Sequence, residues 1–149
     1  MLLLSRRSLL AIAAVVDIAL HARPKPVSAK ALAARQRLPP RHLESILQAL
    51  VRQGILKGLR GPRGGYELAR ERRRITAGEI VRAALSGTGE DTLPPRPDSK
   101  LVDHVIEPVV KLATAAFLDE LDEVTVDDLC RRAEAAAAVE APSAADFTI

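Results

Sequence analysis

The sequence predicts a mainly helical protein with one short β-hairpin. Apolar residues recur at intervals of three and four along much of the 149-residue chain, which is the spacing of helix faces. Aromatic residues make up only 2% of the composition, so Leu, Ile, Val and Ala have to pack the core. One glycine-rich stretch, residues 60–65 (RGPRGG), separates two short strand-like runs and predicts the turn of the hairpin.

Charge is distributed unevenly over a chain whose length fits one domain. Residues 1–82 hold 17 Lys or Arg against 5 Asp or Glu, a net charge of +12. Residues 83–149 hold 5 against 14, a net charge of −9. Abundant arginine, as in proteins from GC-rich genomes, would not produce this asymmetry. The basic half therefore predicts a surface for nucleic acid, and the acidic half predicts another role.

Residues 1–22 are consistent either with an export signal or with the first helix of the fold. An arginine pair, an apolar run and a final ALHA resemble a twin-arginine signal. Asp17 argues against export, because it places a carboxylate inside the apolar segment. Ser5 can cap a helix, so we expect a cytoplasmic first helix. Its predicted apolar stripe consists of Leu9, Leu10, Ala13, Val16 and Leu20.

Two further helices are predicted on either side of a short turn. The basic turn at residues 23–26 (RPKP) ends the first helix, and Ser28 caps a second one over residues 29–35. Its expected core contacts are Ala31, Leu32 and Ala34. The third helix, residues 40–53, begins at the second of two adjacent prolines and stops at Gly54. Its predicted apolar face is Leu43, Ile46, Leu47, Leu50 and Val51, and its polar face is Arg41, Glu44, Ser45, Gln48 and Arg52.

This pair of helices, followed by strands at residues 55–59 and 66–69, predicts a winged helix-turn-helix. In that arrangement the second helix of the pair enters the major groove of DNA and the first crosses the backbone. The alternatives are a polar face that only meets solvent, and an adaptor that binds a protein through the same scaffold. The basic run at residues 70–74 would lie beside the wing and add phosphate contacts.

The second half of the chain predicts a capped helix, a linker and two more helices. Thr76 and Glu79 have capping-box spacing and open a helix, with Ile80, Val81, Ala84 and Leu85 apolar, that ends near Gly87. Residues 88–98 are a proline-rich linker. The long pattern over residues 101–121 contains Pro108, which predicts a kink or break. Thr125 caps a last helix to about residue 138, and residues 141–149 are expected to fray.

The apolar stripe of the long helix either folds back on its own domain or pairs with a second chain. A two-fold partner would place two reading helices about one DNA turn apart, so we favour dimerisation. The predicted dimerisation residues are Val102, Val105, Ile106, Val109, Leu112, Ala116 and Phe117.

Three segments of the sequence resemble a known family. The segment LPPRHLESILQALVRQGILKGLRGPRGGYELA, followed by RITAGEIVRAAL and LDEVTVDDL, is similar to the Rrf2 family of bacterial winged-helix transcription regulators, over roughly residues 5–138. The resemblance implies a homodimeric repressor or activator that binds a partly palindromic operator. It further implies that the long helix holds the dimer and that the last helix exchanges contacts.

Carried onto this sequence, the resemblance and the chemistry of the side chains give a set of DNA contacts. Arginine can bond a guanine edge or a phosphate, and glycines let the loop backbone approach closely. His42 stands where the family usually has an aromatic residue, so base preference cannot be transferred. The predicted contacts are Arg6, Arg7, Ser28, Pro40, Arg41, His42, Glu44, Ser45, Gln48, Arg60, Gly61, Arg63 and Gly64.

Cofactors and catalysis are not expected. Cluster-binding members of the family carry three cysteines between the wing domain and the dimer helix, whereas Cys130 is the only cysteine of this chain and lies outside that segment. A packed thiol is the expected state, and a redox-sensing thiol is the alternative. The three histidines, His21, His42 and His104, lack metal-ligand spacing. No catalytic arrangement and no Walker-type lysine are found, so the sequence predicts neither an enzyme nor a membrane protein, and the effector stays unknown.

Overall fold

The computed structural model describes residues 4–86 and 95–140 of the chain. Within these residues, the helices of the amino-terminal part pack against one another, a two-stranded hairpin lies at their edge, and two more helices follow. The elements are α1 (Arg6–His21), α2 (Ala29–Gln36), α3 (Arg41–Arg52), β1 (Leu56–Leu59), β2 (Gly65–Leu68), α4 (Ala77–Leu85), α5 (Glu107–Asp122) and α6 (Val126–Glu140). The predicted mainly helical winged helix-turn-helix is confirmed.

Helix α1 begins where Ser5 was predicted to cap it, and the Ser5 hydroxyl accepts a hydrogen bond from the Ser8 amide at 3.1 Å. The predicted stripe is correct only in part, since Leu10 and Val16 pack against the core. Leu9 and Leu20 are exposed, whereas the fully buried apolar face consists of Ala11, Ala14, Val15 and Ile18. The helix is apolar on nearly every side, so the spacing of its apolar residues did not identify the buried face. The small side chains of Ala11 and Ala14 allow that face to lie close to α3 and α4.

Asp17 of α1 is buried and forms an ion pair with α2. The Arg35 guanidinium donates to both of its carboxylate oxygens, with bonds of 2.7 to 3.0 Å. The His21 ring nitrogen Nδ1 lies 3.4 Å from the same carboxylate. The acidic residue that argued against an export signal therefore joins α1 to α2.

The predicted helix-turn-helix is formed by α2 and α3. The Ser28 hydroxyl accepts from the Ala31 amide and caps α2, and Arg37 ends that helix in the left-handed conformation at φ 56°. Leu32 and Ala33 are buried, while the predicted contact Ala34 is exposed. Helix α3 buries Leu43, Ile46, Leu47 and Leu50 as expected. It also buries Ala49, which was not predicted, while Val51, predicted to be in the core, is 37% exposed.

The hairpin follows Gly54, whose φ of 73° is the left-handed stop that was predicted. Strands β1 and β2 pair antiparallel, with Leu56 opposite Leu68. Val27 adds a single bridge on the other side of β2, exchanging backbone hydrogen bonds of 2.7 and 2.9 Å with Tyr66. A Cβ on Gly65 would overlap the Val27 backbone, so glycine is required there.

Helices α4 and α6 begin side by side. Thr76 and Glu79 form the predicted capping box, and Thr125 and Asp128 exchange the same pair of bonds at the start of α6. Thr76 and Thr125 are neighbours in a short antiparallel bridge. Val126 and Cys130 of α6 are consequently part of the buried core cluster, together with side chains of α1, α3 and α4. Leu85, predicted on the apolar face of α4, is instead about half exposed.

A change of helix type precedes α5. Residues Val102–Ile106 form a π-helical turn, in which the Glu107 amide donates to the Val102 carbonyl. The wider turn suits Pro108, which has no N–H and whose ring would clash with a carbonyl in a continuous α-helix. The irregularity expected at Pro108 is a change of helix type; the chain stays helical from residue 100 to 122, so the predicted break does not occur. Most of the predicted linker at 88–98 lies outside the described residues. The predicted frayed tail at 141–149 lies wholly outside them.

Helix α5 contacts α4 but buries none of its own residues. Among the predicted dimerisation residues Val102 and Phe117 are partly buried, while Val105, Ile106, Val109, Leu112 and Ala116 are exposed. Among the described residues, no helix combines the length and apolar character needed to span a membrane.

Candidate nucleic-acid interface

One side of α3 presents polar side chains to solvent while the other side is buried in the core. We define this reading face as Arg41, His42, Glu44, Ser45 and Gln48, all of which are exposed. The separation follows from the sequence, because the apolar residues recur at helical spacing and force the remaining positions outward. The face holds both donors and acceptors, which is what hydrogen bonding to base edges in a major groove requires.

The wing places two arginines at the tip of the hairpin. Arg60 and Arg63 are exposed in the loop between β1 and β2. Gly61 has a φ of 110°, and a Cβ on Gly64 would overlap the Leu59 and Gly61 carbonyls. The loop is therefore tight and needs these two glycines, which leave its backbone open to a close approach by a phosphate.

Arg7 and Ser45 were each predicted to contact DNA, and the structure brings them together. The Arg7 guanidinium donates to the Ser45 hydroxyl at 2.9 Å and to the Ala84 carbonyl at 2.7 Å. A third bond, to the Ser45 carbonyl, is long at 3.5 Å. Arg7 thus connects α1, α3 and α4 and holds the reading helix in position. The neighbouring Arg6 is exposed, and no ion pair is found for it among the described residues.

The structure adds two basic residues that the sequence analysis did not select as DNA contacts. A cleft of about 490 Å³ is lined by Arg23 and Lys25 on one side and by Arg63 of the wing on the other. Its floor is the start of α2 at Ser28, where backbone amides give a partial positive charge. The sequence feature that could have identified Arg23 and Lys25 is the basic turn RPKP shortly before the capping serine.

The basic run after the wing is used mainly within the protein. Arg70 pairs with Glu79 at 3.2 Å, and Arg72 pairs with Asp127 at 3.1 Å, which links the run to α4 and α6. Arg73 and Arg74 are exposed, so the extra phosphate contacts expected from this run stay a prediction for these two residues. Its sequence showed positive charge but not the carboxylates that later segments place beside it.

The carboxyl-terminal half is connected to α4 by a second ion pair. The Arg82 guanidinium donates to both oxygens of Asp122, at 2.6 and 2.9 Å. These hydrogen bonds lower the pKa of the Asp122 carboxyl, so the pair stays charged over the neutral range. Gly78 lies beneath this pair, and any Cβ there would overlap the Asp122 carboxylate. A side chain at position 78 would therefore displace the Asp122 carboxylate from Arg82.

Cys130 is buried against α1, and burial raises the pKa of its thiol even though Arg72 opposes that shift. This environment fits the packed thiol expected from the sequence.

Across residues 4–86 and 95–140, no group of three His, Cys, Asp or Glu side chains is arranged to hold a metal ion. The His21 ring nitrogen Nδ1 forms a hydrogen bond with the backbone carbonyl of Asp17, one turn earlier in the same helix.

Comparison with known proteins gives consistent matches. A family model described as "Iron-dependent Transcriptional regulator", Rrf2, matches residues 4–132. A protein of Synechocystis sp. named as a helix-turn-helix-type transcriptional regulator is 37% identical over 131 residues, covering 85% of this chain and 86% of its own length. The regulator IscR of Xenorhabdus nematophila is 36% identical over 73 residues, about half of each chain.

Solved structures show the same fold over most of the chain. The structure of T. potens IscR superimposes with a TM-score of 0.68 at 32% identity, covering 97% of this chain and 96% of that one. The B. subtilis global cysteine regulator CymR superimposes with a TM-score of 0.66 at 26% identity, covering 89% and 98%.

Proposed function

The chain belongs to the Rrf2 family of winged-helix transcriptional regulators, and from that premise we propose that it reads an operator as a homodimer, without an iron–sulfur cluster. The observation that carries this proposal is the reading face of α3 beside the arginine-tipped wing. The side chains of Arg41, Arg60 and Arg63 form no ion pair within the described part of the chain, so they are available to DNA.

In this proposal α3 enters the major groove and the wing lies along the adjacent backbone. Arg41 and Gln48 offer donors to base edges, and Glu44 can accept from a cytosine amino group. Arg23, Lys25 and Arg63 surround the cleft at the start of α2 and would hold one phosphate of the backbone. Arg7 acts through Ser45 rather than on DNA directly, because its bonds fix the position of α3.

Dimerisation is proposed to use an apolar stripe that runs from the π-helical turn into α5. We define this α5 stripe as Val105, Ile106, Val109 and Leu112. These side chains are 45 to 75% exposed in the single chain, and a solvent-exposed apolar patch of this kind marks a contact surface. A two-fold pair of chains would present two reading faces to one operator, so a partly palindromic site is expected.

The family description names iron, and the ligands of this chain do not fit a cysteine-ligated cluster. Cys130 is its only cysteine and is buried in the core, whereas a cluster takes several thiolates. We therefore propose that this member responds to a different signal. Iron and acid-labile sulfide measured on anaerobically purified protein should be absent, and stoichiometric amounts of both would contradict this part of the proposal.

The test of DNA reading is binding of the purified protein to DNA upstream of its own gene, titrated across salt with excess competitor DNA. Specific binding should survive the competitor and fall steeply as salt rises. Replacing Arg41 with alanine should cost about 1 to 3 kcal/mol if it reads a base. Binding that the competitor abolishes would instead favour the adaptor, which keeps this scaffold for a protein partner.

A further inference from the structure

A groove of about 730 Å³ lies behind the reading face, between the first half of α1, the end of α2 and the first half of α3. Its volume falls in the range of about 300 to 1,000 Å³ that small-molecule pockets occupy. Its apolar walls come from α1, from α3 and from the turn between α2 and α3, while α2 itself contributes only the polar Gln36. These wall residues are Leu9, Leu10, Ala13, Leu38 and Ile46.

The rim of the groove is basic. Arg6 of α1 and Arg41 of α3 both line it, and neither forms an ion pair within residues 4–86 and 95–140. His42 and the Ser45 hydroxyl add polar groups on the α3 side, and no carboxylate lines the groove. Apolar walls under two available guanidinium groups select a ligand with an apolar body and a negative head.

The location of the groove determines what its occupation would do. Arg41, His42 and Ser45 belong both to its rim and to the reading face, so a ligand held there would engage residues that DNA also needs. Arg7 borders the groove as well, and its bond to Ser45 sets the position of α3. A ligand between α1 and α3 thus acts on the reading helix at its start.

We propose that this groove binds a small amphipathic carboxylate and that the bound ligand competes with DNA. The binding itself stands on the groove alone, and only the competition rests on the proposed function. The two parts are therefore tested by separate measurements, the first of them in the absence of DNA.

The first measurement is a methyl NMR titration of the full-length protein with octanoate, with 1-octanol as the neutral control of equal chain length. Saturable shifts are expected at Leu9, Leu38 and Ile46. Leu9→Asp should weaken octanoate binding by about tenfold or more, because it places a carboxylate on the apolar wall. Leu20→Asp is the matched control, since Leu20 is 37% exposed on the same helix, against 38% for Leu9, and does not line the groove.

A second pair of variants tests the charge. Arg6→Gln should weaken octanoate by about fivefold and leave 1-octanol unchanged, as expected for the loss of one charge-assisted bond. Arg52→Gln, an exposed arginine of α3 outside the groove, should alter neither. Equal effects of both arginine variants, or equal affinities for octanoate and 1-octanol, would overturn the carboxylate assignment.

The second measurement is DNA binding with and without octanoate. Octanoate should raise the apparent Kd for DNA in the wild type and lose this effect in Leu9→Asp. Octanoate binding without any effect on specific DNA binding would overturn the competition only. Shifts that follow protein concentration instead of octanoate would assign the groove to a second copy of the chain and overturn the ligand proposal, whether or not the protein binds DNA.

Discussion

Helices α3 and α5 carry the same kind of apolar stripe and have opposite surroundings. In α3 the stripe is covered except at Val51, with Leu43, Leu47 and Leu50 fully buried by the rest of the chain. In α5 no residue is buried, and Leu112 is 75% exposed. Periodicity therefore identifies a helix face that needs covering, but it does not identify whether the same chain or another one covers it.

The largest effect is expected from a charge placed on the α5 stripe. Leu112→Glu would bury an unpaired carboxylate twice in a two-fold interface, weakening dimerisation by about 4 kcal/mol, or nearly a thousandfold in Kd. Sedimentation velocity should show a monomer whose thermal unfolding is little changed. Leu20→Glu, at an exposed leucine of α1, is the control and should stay dimeric. A dimeric Leu112→Glu protein would show that α5 is covered in another way.

The next effect concerns the ion pairs of the two regions. Arg35→Ala leaves the buried Asp17 carboxylate without its main partner and should cost about 2 to 3 kcal/mol of unfolding free energy. This loss of stability is smaller than the loss expected for a wholly buried ion pair, because the Arg35 side chain is about a third exposed. Arg82→Ala, at the more exposed pair with Asp122, should cost under about 1 kcal/mol. Urea unfolding measures both, and equal losses would show that burial does not separate them.

A smaller effect separates two arginines of the DNA-binding region. Arg63→Ala should reduce the slope of log affinity against log salt by about one, because it removes a phosphate contact. Arg7→Ala should weaken DNA binding by about 1 to 2 kcal/mol without changing that slope, since it removes internal hydrogen bonds. Arg7→Ala with a reduced slope and unchanged stability would instead place Arg7 on the DNA.

The smallest effect is expected at Cys130. Cys130→Ala should cost about 1 kcal/mol, because the thiol behaves as a small buried apolar group. Burial raises its pKa, so a thiol reagent should label the native protein slowly and the urea-unfolded protein rapidly. Equal labelling rates in the two states would show that the thiol is accessible and would revive the redox-sensing alternative.

The sequence was sufficient for those parts of the fold that depend on neighbours along the chain. Ser5, Ser28 and Thr76 cap helices where their hydroxyls were predicted to do so, and Gly54 ends α3 in the left-handed conformation. Pro108 marks the change of helix type before α5. Each of these signals acts within about one helical turn, so a single segment of sequence contains the whole cause.

Contacts between distant segments could not be predicted in this way. The bonds from Arg7 to Ser45 and Ala84 join residues 38 and 77 positions away. The bridge between Val27 and Tyr66 depends on how the hairpin meets the turn before α2. The family resemblance and the side-chain chemistry predicted Arg7 and Ser45 as two separate DNA contacts. Their mutual bond becomes visible only when the helices are packed.

The most direct test of the account is the stoichiometry of the specific complex with upstream DNA, measured by native mass spectrometry in the presence of competitor DNA. Two chains per duplex are predicted for the wild type, and Leu112→Glu should lose the two-chain complex. One wild-type chain per duplex, or two chains retained by Leu112→Glu, would contradict the claim that the uncovered stripe of α5 pairs two reading faces on one operator.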